Sequence, residues 1–295
     1  MYSIKDLERL TGIKAHTIRM WEKRYGIIDP QRTDTNIREY TDHEVKKLLN
    51  VALLNKHGVK ISKLAELSDN ELREQVVSLN VGFNTSSIQI EHLVISMIDL
   101  DEVKFESILN RSIIKAGFEE TVKSLLFPFF ERVGVLWQTG AINPAQEHFV
   151  SNLVRQKLFV AIDRIVPEYN THAPSFVFFL HEKELHEVGL LFFSYIAKKW
   201  GMRTIYLGQI VPFHDLKLVF EKVKPDYFFT TFTSSMEDGW IENYIKELAK
   251  EFSDITIFIS GYQSSSIEKL PHNVQPVKDI DSFKNVIKMI AKNRE

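Results

Sequence analysis

The stretch from residue 175 to residue 292 sets the tightest limit on what this chain can fold into. Four short apolar runs, SFVFFL (175–180), RTIYLG (203–208), DYFFTTFT (226–233) and ITIFIS (255–260), alternate with the helical patterns HEVGLLFFSYIAKKWG, FHDLKLVFEKVK and WIENYIKELAKEF, and SFKNVIKMIAKN follows last. Strands that are apolar along their whole length must be covered on both faces, and intervening helices supply the cover. The pattern therefore predicts a parallel, doubly wound sheet of Rossmann-like type. In such sheets ligands bind beyond the carboxyl ends of the strands, and the first run is followed directly by HEKELHEVG (181–189). A zinc site of the H-E-x-x-H kind needs its two histidines four apart on one helical face. His181 and His186 are five apart, which on a helix would turn them about 140° away from each other. The chain has no cysteine, so disulfides and thiolate metal sites are excluded and any cofactor must be held by His, carboxylate or shape.

Upstream, IEHLVISMIDLDEVKFESILNRSII, FEETVKSLLFPFFERVGVLWQTG and NPAQEHFVSNLVRQKLFVAIDRI repeat apolar residues at three and four positions, with Gly117 and Gly140 as stops. Together with the segment before them they predict a four-helix bundle. Trp137 ends one of these patterns, and Glu147 and His148 begin the next behind an Asn143 cap and Pro144 at the first helical position. Read from the residues alone, Trp137 caps the bundle and Glu147-His148 is a solvated first turn.

The first 63 residues hold 13 Lys and Arg against 8 Asp and Glu, inside a chain of formal net charge −2. This basic start suggests a polyanionic partner. SIKDLERLTGIKAHTIRMWEKRYG places Ile4, Leu7 and Leu10, then Ile13, Ile18 and Trp21, on two apolar stripes joined at Thr11-Gly12, which is helix-turn-helix spacing. Lys14, His16, Thr17, Arg19, Lys23 and Arg24 lie opposite, donors suited to base edges and phosphates. A two-helix packing unit with a solvated basic face has the same pattern. Next, DPQRTDTNIREYTDHEV brings Arg32 and Arg38 around a short polar turn, with Asn36 able to take a positive φ. Thr41 and Glu44 then form a capping box at the head of a longer helix.

Three resemblances follow from these residues. HTIRMWEKRYGI, with Tyr25, then Pro30-x-Arg32 and Arg38-x-Tyr40, resemble the recognition helix, wing entry and wing exit of the MerR family of transcription regulators. Glu184-x-His186-x-x-Gly189 resembles the D/E-x-H-x-x-G motif of cobalamin-binding domains. In register with it, 41 residues after Gly189 come Thr231-x-Thr233, where that family has S-x-L, and 27 residues further come Gly261-Tyr262, where it has Gly-Gly. Trp137 and, after nine intervening residues, Glu147-His148 are similar to the W-x9-E-H signature of light-sensing, adenosylcobalamin-dependent MerR-type repressors of carotenoid genes. Two positions depart from these patterns. Tyr262 puts a ring where the second glycine stands, and Gln138 replaces the histidine that follows the tryptophan in photosensing members.

These resemblances imply a multidomain α and α/β chain. A winged helix-turn-helix is expected at 1–75, a four-helix bundle capping a cofactor at 76–168, and a cobalamin-binding sheet domain at 174–295. They imply that His186 is the lower cobalt ligand with Glu184 on its other ring nitrogen, that Gly189 and Thr231 admit the nucleotide tail, and that the bundle covers the upper cobalt face. The expected function is a DNA-binding repressor responsive to cobalamin, as adenosylcobalamin, and photoreceptor-like in architecture. The expected partners are double-stranded operator DNA, further copies of the chain as dimer or tetramer, and an antirepressor or other protein. The alternative is a MerR-type regulator whose effector domain has lost cobalamin and senses another ligand or a protein. An enzyme is not expected, because no stretch remains for a substrate barrel. The longest apolar runs are strand-length and MYSIKDLERL is charged, so a cytoplasmic location without a membrane partner is expected.

Overall fold

The computed structural model describes residues 2–33, 36–72, 74–75, 86–138, 141–166, 173–234, 236–237, 239–267 and 269–292. The chain divides into two compact units, residues 1–153 and 154–295.

The first unit begins with α1 (Ile4–Thr11), closed at its start by a Ser3–Asp6 capping box and at its end by Gly12 in the left-handed conformation. Helix α2 (Ala15–Tyr25) follows, and Leu7, Leu10, Ile18 and Trp21 are all buried. Strands β1 (Gln31–Arg32) and β2 (Arg38–Glu39) pair antiparallel as a small wing. Asn36 takes φ 64° at its turn, while the tip residues Asp34 and Thr35 lie outside the described residues. Helix α3 (Asp42–Lys56) starts from the Thr41–Glu44 capping box, and the short α4 (Ile61–Leu64) packs against it. A bundle follows, formed by α5 (Ser86–Asp99), α6 (Glu102–Ala116), α7 and α8 (Pro144–Asp163). Helix α7 runs from Phe118–Thr121 through a π-helical turn, Val122–Leu126, into Phe127–Gln138. That turn stands just before Pro128, whose ring and missing N–H are incompatible with an unbroken α-helical ladder.

The bundle's first two helices differ from the sequence expectation. IEHLVISMIDLDEVKFESILNRSII is two helices, because Leu100 takes φ 53° and the Asp101 side chain caps α6 by accepting from the Lys104 amide at 3.0 Å. The apolar period runs on across this break, so periodicity alone does not reveal it. The preceding residues 76–85, the expected stop at Gly140, and residues 167–172 of the expected linker fall outside the described residues.

In the second unit, β3 (Ser175–His181), β4 (Arg203–Val211), β5 (Tyr227–Thr231), β6 (Thr256–Ser260) and β7 (Val274–Pro276) form one parallel sheet in the order β4-β3-β5-β6-β7. The crossovers are α9 (Val188–Lys199), α10 (Phe213–Val223) and α11 (Trp240–Glu251), and α12 (Ile280–Lys292) comes last. Both faces are apolar. Val177, Phe179 and Phe228 join Leu216 of α10 and Ile245 and Leu248 of α11. On the other face Phe176 and Phe229 pack on Phe283 of α12, and Phe229 on Phe193 of α9. Strand β7 was not expected from sequence: it has three residues and carries a proline, which an edge strand tolerates. Chain order reverses between β3 and β5, so the loops leaving those two strands flank the switch point where such sheets bind ligands.

Candidate functional site

Three loops meet at the carboxyl ends of β3, β5 and β6. After His181 the chain turns and runs without regular structure to Glu187 before α9 begins, so His186 stands on a loop and not on a helix. Glu184 is 0% exposed and faces inward. Its carboxylate accepts from the amides of Leu185 and His186, each at 3.0 Å, and from the amides of Thr233 and Ser234, each at 2.8 Å. The Ser234 hydroxyl donates to it at 2.8 Å, and His186 Nδ1 lies 2.7 Å from Glu184 Oε1. Burial by itself would raise this carboxyl's pKa, but the His186 ring and the backbone donors outweigh it and hold it down to about 2. One buried charge thus joins the first and third strand loops.

The same contacts orient His186. With Nδ1–H given to the carboxylate, the neutral ring carries its lone pair on Nε2. Its side chain is 59% exposed, and Ser234 Oγ lies 3.1 Å from Nδ1 as a further restraint. Ser234 was missed from sequence. Nothing local marks it, since it meets His186 only because β5 lies next to β3. Thr233 enters through its amide.

The neighbouring Glu187 is also buried, bonded by the Tyr206 hydroxyl at 2.7 Å and paired with Arg155 at 2.5 Å. The side-chain Nε2 of Gln209 donates to the Leu185 carbonyl. These residues, also unmarked in the sequence, pin the loop on both sides of His186.

The remaining expected residues fall around this loop. Thr231 is buried and its hydroxyl is among the side-chain atoms with no hydrogen-bond partner. A Cβ added at Gly189 would meet no atom of the described residues within 4 Å, so none of them requires glycine there. Gly261 is different: at φ 102°, a Cβ would lie 2.3 Å from the Phe232 carbonyl oxygen, so the crossing of the β5 and β6 loops demands glycine. The Tyr262 side chain is 82% exposed and does not fill the space beneath the loops. His181 is a core residue: its ring stacks on Phe232 at 5.4 Å and lies 4.8 Å from Trp240, and burial lowers its pKa. Among the described residues no cluster of three or more His, Cys, Asp or Glu could hold a bare metal ion. The site offers one imidazole, which suits a metal that brings its other ligands with it.

In the first unit, α7 ends where α8 begins, so Trp137, Glu147 and His148 share one end of the bundle. The Trp137 side chain is exposed, and Glu147 Oε2 lies 2.7 Å from His148 Nδ1. Glu147 also accepts from Ser151. Gln138 is the last residue of α7.

The basic face of α2 is open. His16, Arg19, Lys23 and Arg24 are exposed and Thr17 half-buried. Lys14 pairs with Glu8 at 3.1 Å, and the Arg24 guanidinium sits over the half-buried Tyr25 ring at 5.3 Å. On the wing Arg32 is exposed and donates to Asn36 Oδ1 at 2.6 Å. Arg38 is committed inward, its Nε 3.1 Å from both carboxylate oxygens of Glu22. Tyr40 corrects the expectation of a DNA contact: it is 0% exposed, because its backbone pairs with Tyr2 and turns the ring into the core beneath the wing.

Comparison with known proteins bears on both units. Residues 2–71 match the MerR HTH family regulatory protein model, and residues 89–161 match the B12 binding domain model. The chain is homologous to the HTH-type transcriptional repressor CarH of Myxococcus xanthus, 29% identical over 77% of each protein. It is likewise homologous to the repressor CarA of the same organism, 26% identical over 88% of this chain and 85% of that one. The HTH-type transcriptional regulator MlrA of Escherichia coli (strain K12) is 34% identical over 24% of this chain and 29% of its own length. Among solved structures, the monomethylamine corrinoid protein of Methanosarcina barkeri superposes with a TM-score of 0.52 at 13% identity, covering 66% of this chain and 94% of that one. At that identity the likeness concerns the fold.

Proposed function

We propose that this chain, a MerR-type helix-turn-helix regulator with a B12-binding domain, is a transcriptional repressor whose operator binding is controlled by cobalamin held through His186. The observation that carries this reading is the His186–Glu184 pair at the switch point. A buried carboxylate takes the Nδ1–H, raises the basicity of the ring and leaves Nε2 as the nitrogen that would hold a metal. The open Gly189, the unpartnered Thr231 hydroxyl and the outward Tyr262 fit a cofactor tail entering beside α9. When bound, the cofactor would supply a cobalt centre with an exchangeable upper group, adenosyl in this reading. Trp137, Glu147 and His148 would cover that group, and Lys14, His16, Thr17, Arg19, Lys23, Arg24 and Arg32 would meet operator DNA. No substrate turnover is assigned to the chain. The loss-of-cofactor alternative draws on Tyr262 and Gln138 together, and the exposure of Tyr262 weakens the first of these grounds.

The test is the absorbance spectrum of the purified chain mixed with adenosylcobalamin in the dark. The wild type is expected to bind it with the spectrum of imidazole ligation. His186→Ala is expected to lose that signature, and His181→Ala to keep it, provided it folds. Identical spectra for wild type and His186→Ala would overturn the assignment.

A further inference from the structure

An apolar side chain stands in the middle of the basic face of α2. Met20 is 49% exposed, on a helix whose other exposed residues, His16, Arg19, Lys23 and Arg24, are all polar. At about 100° per residue, His16 and Arg24 lie about 40° to either side of Met20, and Thr17 and Lys23 about 60°. Ile18, which is 0% exposed, lies about 160° away. Met20 is therefore directed away from the core and ringed by donors.

The helix is held so that this face keeps its aim. Ile18 and Trp21 anchor it from beneath. Glu8 of α1 closes its start by accepting from the Ala15 amide at 3.1 Å. Arg38 of β2 braces its second half through Glu22, with Nε 3.1 Å from both carboxylate oxygens. Gly26 in the left-handed conformation ends it. Packing under α2 is thus made by other residues, and an apolar side chain is left in water on the side where the charges are.

The charges around Met20 select a polyanion as the occupant of this face. A helix lying in the major groove of DNA meets base edges made of donors and acceptors, and one apolar group, the C5-methyl of thymine. His16, Lys23 and Arg24 can bond to bases and phosphates. A thioether donates no hydrogen bond and accepts only weakly, so a purely polar base edge or a phosphate gives it nothing to do. Its unbranched, flexible stem suits contact with a methyl group that projects into the groove.

We propose that Met20 is a specificity-determining residue of the DNA-binding unit, packing on the C5-methyl of a thymine in the major groove of the operator. The inference rests on α2 as the recognition helix, which the MerR match over residues 2–71 supports, and it stands whether or not cobalamin binds. The test begins by selecting duplexes from a random-sequence library with the full chain, in the dark, with and without adenosylcobalamin, and carrying the tighter-binding form forward. Each thymine of the selected duplex is then replaced in turn by deoxyuridine, which removes the methyl and keeps the pairing edge. Affinities are measured for wild type, Met20→Ala, Met20→Gln, Lys23→Ala and Arg24→Ala, with melting temperatures as a check on folding.

At one thymine or more, the wild type is expected to lose about fourfold, the equivalent of about 0.8 kcal/mol, when the methyl is removed. Met20→Ala and Met20→Gln should be weaker than wild type on the unmodified duplex by at least about that factor and lose nothing further at the same thymine. A wild type with no methyl-sensitive thymine, or the same sensitivity in wild type and Met20→Ala, overturns the proposal. So does a loss in Met20→Ala that is as large on a scrambled duplex, which would make Met20 a contact to the DNA backbone. Unchanged affinity in both Lys23→Ala and Arg24→Ala, or a library in which no sequence is enriched, overturns the placement of α2 in the groove and this inference with it. Weakened binding in those two variants beside methyl sensitivity that ignores Met20 overturns the inference alone.

Discussion

Replacing Glu184 with glutamine keeps the shape of the side chain and removes the charge that joins the β3 and β5 loops. The carboxyl sits at about 2 against an ordinary 4.5. That gap of roughly 2.5 units, at 1.36 kcal/mol per unit, corresponds to about 3 kcal/mol of folding stability. The sign follows from the depressed pKa: the contribution is fully present above pH 4.5 and is lost as pH falls toward 2. Glutamine also turns an NH2 toward two amide donors, at 2.8 Å from Thr233 and Ser234 in the native site, which adds a cost independent of pH. Urea unfolding of wild type and Glu184→Gln, followed by tryptophan fluorescence between pH 7 and pH 3, should show a difference of at least about 3 kcal/mol at pH 5 to 7 that shrinks steadily below pH 4.5. A difference as large at pH 3 as at pH 7 would mean that the charge is not what the site stabilises.

Gly261→Ala should destabilise the second unit by at least about 2 kcal/mol and lower its melting temperature, since the added carbon meets the Phe232 carbonyl at 2.3 Å; an unchanged melt would refute that crossing of loops. Arg19→Ala should weaken operator binding by roughly 1–3 kcal/mol and relax sequence preference, whereas Arg32→Ala should flatten the slope of log affinity against log salt by about one unit. Titrations against operator and scrambled duplexes at several salt concentrations distinguish the two outcomes, and equal losses on both duplexes for Arg19→Ala would deny it a base contact. For light, an amide at position 138 is a poorer donor to cobalt than an imidazole. Green illumination of the cobalamin-loaded wild type should therefore leave no lasting second-histidine spectrum, while Gln138→His should acquire one; such a spectrum in the wild type would refute the assignment.

Much of this protein is legible in local sequence because the rules concerned are local. A run apolar on both faces declares a covered parallel strand, as SFVFFL does. Thr41 and Glu44 declare a helix start, because a capping box closes within four residues. Glu184, His186 and Gly189 were recognisable together because all three lie within six residues of chain, and the distances to Thr231 and Gly261 are set by the lengths of the intervening strands and helices. What sequence could not decide were meetings between residues far apart in the chain. Ser234 reaches His186 and Tyr206 reaches Glu187 because strand order puts β3 between β4 and β5, and Arg155 reaches Glu187 from α8. Arg38 turns to Glu22 and Tyr40 into the core because the wing folds back on α2 and Tyr2, against a pattern that marks both as contacts to DNA. The break at Leu100 hides inside an unbroken apolar period, since one residue in a left-handed conformation redirects a helix without altering which neighbours are apolar. The sequence by itself determined the longer strands of the sheet, the capped helix starts and which loop could hold a ligand, because hydrogen-bond ladders and caps close over a few residues. Only the tertiary structure decided which side chains orient His186 and which hold Arg38 and Tyr40 away from the surface, because those partners are brought together by topology.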